Sequence, residues 1–132
     1  MTRTFGAAPS AAEIEALART ALSRLPAPFA QHLREMVLQV EDFADPETLA
    51  EMGIDDPFDL TGLYEGVPVG DKANASGTLP DRIRLFRSPL LDEWAARGDE
   101  TLERLVSHVV IHEVGHHFGL SDDDMHLIEE QA

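Results

Sequence analysis

The chain has 132 residues, 43% of them hydrophobic and 27% charged, with a formal net charge of −15 and no cysteine. That length suits a single domain over residues 1–132 with one core, and the missing thiols exclude disulfides, thiolate metal sites and cysteine nucleophiles, which fits the cytoplasm. So acidic a surface repels phosphate backbones and anionic lipid, which argues against nucleic acid and membrane as partners; a basic or neutral peptide is attracted, and the charge also keeps a small protein soluble.

The opening stretch MTRTFGAAPSAAEIEALART has no long apolar run and reaches acidic residues early, so no signal peptide or membrane span is expected. Residues 1–9 read as flexible. Ser10 stands three residues before Glu13, the spacing of a capping box, and Ile14, Leu17, Ala18, Ala21, Leu22 and Leu25 follow at helical intervals until Pro26 and Pro28 stop the helix. A short helical stretch over 29–35 leads into a strand over 37–43. Asp45-Pro46-Glu47 opens a turn or short helix that runs to Met52. Residues 60–65 and 82–87 read as two further strands. Between them, GVPVGDKANASGTLPD is a sixteen-residue loop, 66–81, either a flap over an active site or a plain surface loop. Pro89 starts a helix through Trp94, Gly98 breaks it, and Asp99 caps the next. Residues 100–118 then form one long helix, about 28 Å at ~1.5 Å per residue. Gly119 ends it in the left-handed conformation, and Ser121 caps a last short helix with Asp124 at the capping-box distance.

The chemistry lies in IHEVGHHFGLSDDDM, residues 111–125. His112 and His116 are four apart, hence on one helix face, where two neutral imidazoles can reach a single zinc ion. Glu113 lies one step around the helix, beside the ion, where a carboxylate can act as base toward water that zinc has acidified to a pKa of roughly 7. A tetrahedral catalytic site needs a third ligand. If Gly119 reverses the chain, Asp122 can swing back toward the ion, completing the spacing HExxHxxGxxD. Asp123 and Asp124 compete for that role, and so does His117, which points about 100° around the helix from His116.

With its small size and late motif, the chain resembles the minimal zincins, a family of small bacterial zinc metallopeptidases. Residues 60–69, 80–91 and 110–125 carry the likeness, and only the last segment carries chemistry. The resemblance implies an α+β fold: a small mixed or antiparallel sheet packed on the long motif helix, alongside the N-terminal helix. It also implies His112, His116 and Asp122 as ligands of one zinc ion and Glu113 as base. The chain departs from the metzincins in lacking a methionine turn well after the third ligand. Met125 is too close for that and is expected to pack in the core.

Other residues receive lesser roles. Gly115 costs about 1 kcal/mol against alanine inside a helix, and the expected compensation is close packing of that helix on a strand, ahead of close approach by a substrate. RIRLFR, residues 82–87, is the strand expected to pair with an extended substrate, unless its arginines blunt an edge or pair with acids. Tyr64 and His117 are candidates to stabilise an oxyanion. His32, His108 and His126 read as structural or solvent-facing, with His108 positioned to act as an outer partner of His112. The resulting function is zinc-dependent hydrolysis of peptide bonds in a peptide or protein substrate. The alternatives are a non-catalytic module stapled by zinc and, against the charge, a zinc-dependent nuclease.

Overall fold

Side-chain oxygens set where most of the helices begin. The computed structural model describes residues 7–25, 29, 36–66 and 81–131. Helix α1 (Ala11–Ser23) starts where Ser10 Oγ accepts the Glu13 N–H at 3.1 Å. It ends before Pro26, and its Ile14, Ala18 and Ala21 are buried. Asp45 accepts the Thr48 N–H and so opens α2 (Pro46–Met52), with Pro46 in the first turn, where its missing N–H costs nothing. Helix α3 (Arg87–Arg97) follows directly on a strand, two residues before the expected start at Pro89, and has no side-chain cap. The motif helix α4 (Leu102–Phe118) is capped by Thr101, not by Asp99. Two contacts explain the later start: the Trp94 indole N–H donates to the Glu100 carbonyl, and Arg97 pairs with the Glu100 carboxylate. The last helix, α5 (Asp122–Gln131), opens on a reciprocal Ser121–Asp124 capping box.

Three short strands form a mixed sheet in the order β1 (Val37–Glu41), β3 (Arg82–Phe86), β2 (Gly62–Glu65). All are shorter than the periodicity suggested. β1 runs parallel to β3, with Leu38 opposite Ile83. β2 runs antiparallel to it, with Tyr64 opposite Ile83. This overturns the expectation that residues 82–87 offer a free edge: β3 is the central strand, its backbone paired on both sides. Its alternation sorts the two faces. Ile83 and Leu85 enter the main core with Leu38 and the helices. On the opposite face Arg84 is buried beside Asp45, Glu41 and Glu65, while Phe86 joins a smaller cluster with Ala44, Leu49 and Leu60. The arginines of this strand thus pair with acids.

The main core lies between the sheet and α4, closed by α1 and α5. Leu105, Val106, Val110, Ile111 and Val114 of α4 meet Ile14 and Ala18 of α1 and Met125 of α5. Each of these Leu, Ile, Val and Met side chains contributes roughly 1.5–3 kcal/mol on full burial. The fold is therefore α+β, with a three-stranded mixed sheet and the N-terminal helix both packed on the motif helix. The helix expected over 29–35 falls outside the described residues except for Phe29, whose ring meets Phe118. Residues 67–80, most of the expected flap, also lie outside them. No helix among the described residues is long and apolar enough to cross a membrane.

Candidate metal centre

Helix α4 ends where the sequence places its glycine. Gly119 has φ 74°, and two hydrogen bonds, Leu120 N–H to Gly115 O and Gly119 N–H to His116 O, complete a Schellman cap. The chain then doubles back into α5, which packs on α4. Met125 on α5 is fully buried and seats over Gly115. A Cβ at Gly115 would fall 2.6 Å from Met125 Cγ, so only glycine admits the methionine. The close neighbour expected to explain this glycine was a strand, and it is instead the methionine of the last helix.

That packing sets the position of Asp122, three residues before Met125. His112, His116 and Asp122 each offer one ligand atom, and these atoms lie within 4.8 Å of one another. The two imidazoles stand nearly perpendicular, with ring centroids 6.1 Å apart. Burial lowers the His112 pKa, and the neighbouring His108 lowers it further, which favours the neutral, metal-ligating imidazole. The other residues considered as third ligand sit elsewhere. Asp124 is engaged in the cap of α5, and His117 turns to the sheet side of α4. Asp123 joins neither of the two groups of His, Asp or Glu that converge in this way among the described residues.

Glu113 faces the edge strand. Its Oε2 accepts the Tyr64 backbone N–H at 3.3 Å, so that amide points away from β3 and toward the motif helix. Burial raises the Glu113 pKa, while the Tyr64 amide and nearby His116 oppose the rise. A carboxyl moved toward neutrality in this way suits proton transfer. Gly62 permits the close approach of β2 to α4: a Cβ there would fall 2.8 Å from Val109 Cγ1.

Beside Glu113, Tyr64 stacks on His117 with ring centroids 4.0 Å apart. The Tyr64 hydroxyl donates to Asp81 Oδ2 at 2.8 Å, and His117 Nε2 lies 3.6 Å from the same oxygen. Burial and the Asp81 carboxylate push the Tyr64 phenol well above its ordinary pKa. Both residues considered for an oxyanion role are thus joined to Asp81. Sequence reasoning missed this buried aspartate, because nothing local marks it at the end of a long polar loop. His126 is solvent-facing as expected, near Glu130, and His32 lies outside the described residues.

An α+β domain with an HExxH helix, a carboxylate returned to it by a glycine reversal and a sheet edge against its glutamate has the build of a zincin. A family model for zincin-like metallopeptidases matches residues 33–132, from before the first strand to the C-terminus. The chain belongs to the zincin-like metallopeptidase family. No curated protein matches it.

Proposed function

We propose that this chain hydrolyses peptide bonds with one zinc ion held by His112, His116 and Asp122. The observation that carries the reading is the convergence of those three donors one helix step from Glu113, itself tied to the sheet edge. Two imidazoles and a carboxylate suit zinc, and their ligand atoms already lie within 4.8 Å of one another. A zinc ion in such a site polarises a carbonyl and acidifies water.

The remaining steps belong to the chain's own residues. Tyr64 N–H anchors Glu113 Oε2, which leaves Oε1 to take a proton from the attacking water. The same carboxyl then returns that proton to the leaving amine, for which its raised pKa suits it. β2 is the sheet edge nearest this carboxylate, and its Tyr64 amide is already held by Glu113. His116 and Asp122 are exposed, so a substrate can reach them, which favours catalysis over a buried metal staple. The net charge of −15 favours a neutral or basic peptide over RNA. The test is Glu113→Gln, assayed on a peptide library with zinc measured in parallel. Turnover should fall roughly 10²–10⁴-fold with zinc retained. Unchanged turnover in a zinc-loaded variant would remove Glu113 as the base.

A further inference from the structure

The motif helix carries one more ligand-type side chain on the face that turns toward α5. His108, His112 and His116 follow at intervals of four, so they form a row along one side of α4. The His108 and His112 rings are closer than the next pair, with centroids 4.1 Å apart. Helix α5 runs along this row and presents a carboxylate toward each end: Asp122 in its first turn, Glu129 about two turns later. Glu129 Oε1 lies 2.5 Å from His108 Nδ1 and 3.7 Å from His112 Nε2. The ligand atoms of His108, His112 and Glu129 all fall within 4.8 Å of one another, as do those of the first set. Glu129 is only 21% exposed, unlike the solvent-facing His126–Glu130 pair on the same helix. A cavity of about 450 Å³ opens beside His108 and Glu129, with Glu100, Glu103 and His126 also on its wall.

We propose that His108, His112 and Glu129 form a second site for a divalent transition cation such as zinc or cobalt. It overlaps the first site through His112 and cannot be filled at the same time. Exclusion follows from the donor: a neutral imidazole has one lone pair, because its other nitrogen carries the proton. His112 therefore serves one ion at a time. Two nitrogens and one carboxylate oxygen again make a donor set of the zinc type. An ion in this outer position leaves His116, Asp122 and Glu113 without it, so the outer site is an inactive holding position on the cavity side of α4. The second site itself does not depend on the chain being a peptidase, whereas its inactivity rests on that reading.

The test uses the full chain loaded with Co²⁺ or Zn²⁺. Cobalt absorption spectra, elemental analysis and titration against a chromophoric chelator are read, and circular dichroism monitors the fold. The wild type should bind one ion. His116→Ala with Asp122→Ala should still bind one ion, with an altered cobalt spectrum. Adding His108→Ala and Glu129→Gln to that pair should weaken binding at least about 100-fold, because one imidazole alone remains. If the folded His116→Ala, Asp122→Ala chain takes up no ion, there is no outer site, and the peptidase reading is untouched. Two ions in the wild type would overturn the exclusion. Loss of the ion from His108→Ala, Glu129→Gln with the inner ligands intact would instead sink the inner site, and with it the peptidase reading, while the outer one stands. Should the alanine pair fail to fold, His116→Gln with Asp122→Asn carries the same measurement.

Discussion

The two sides of the motif helix are built in opposite ways. Toward α5 it presents a row of partly or largely exposed histidines, and acidic side chains from a single neighbouring helix meet them. Toward β2 it presents Glu113 and His117, which meet the sheet edge and the Tyr64–Asp81 pair in more buried surroundings. Each side depends on one glycine that lets its neighbour approach: Gly115 admits Met125 and so seats α5, and Gly62 admits the motif helix to β2. The proposed ligands and the proposed base are thus positioned independently, although they are adjacent in sequence. Substitutions should separate metal binding from turnover.

The largest effect on the metal side is expected from Gly115→Ala. Alanine gains up to ~1 kcal/mol in helix propensity, but overpacking against Met125 costs about 1–3 kcal/mol, so the clash prevails. Thermal stability should fall and zinc affinity should fall with it, because Asp122 moves with α5. Unchanged zinc affinity would mean that Met125 does not set Asp122. Gly62→Ala tests the other side. The clash with Val109 pushes β2 off α4 and loosens the Tyr64 amide from Glu113. Turnover should drop by about tenfold or more while zinc content holds, since the ligands are not on that strand. If zinc is lost instead, the two sides are coupled and the contrast fails.

The smallest expected effect lies far from both. Hydrogen bonds from the Thr48 side chain and from Arg84 hold the Asp45 carboxyl well below its ordinary pKa of 3.8. A depressed folded-state pKa adds stability that is present above the ordinary value and lost as pH falls below it. Asparagine still caps a helix, so Asp45→Asn isolates the charge. The variant should melt slightly below the wild type at pH 7, and the gap should close as the pH drops below 3.8. A gap as wide at pH 2 as at pH 7 would show that Asp45 acts through geometry and not through charge.

How much was legible in the sequence follows the range of each interaction. The ends of α1, α2, α4 and α5 could be read because Ser10, Asp45, Gly119 and Ser121 act on backbone groups within a few residues of themselves. The start of α4 was misplaced at Asp99, because a contact from Trp94 delays the helix to Thr101. The role of Gly115 was read as a close approach, but to a strand and not to Met125, which arrives only once the chain has reversed. His108 looked incidental because Glu129 stands twenty-one residues away in sequence.

The sequence by itself determined the HExxH helix, its glycine terminus and the faces on which His112, His116 and Glu113 stand, because helical periodicity and capping are local. Only the tertiary structure decided that residues 82–86 form the central strand, that β2 lies against Glu113, and that α5 delivers Asp122 to one end of the histidine row and Glu129 to the other. Strand order and helix docking are settled by which distant surfaces bury each other best, and no short window of residues contains both partners.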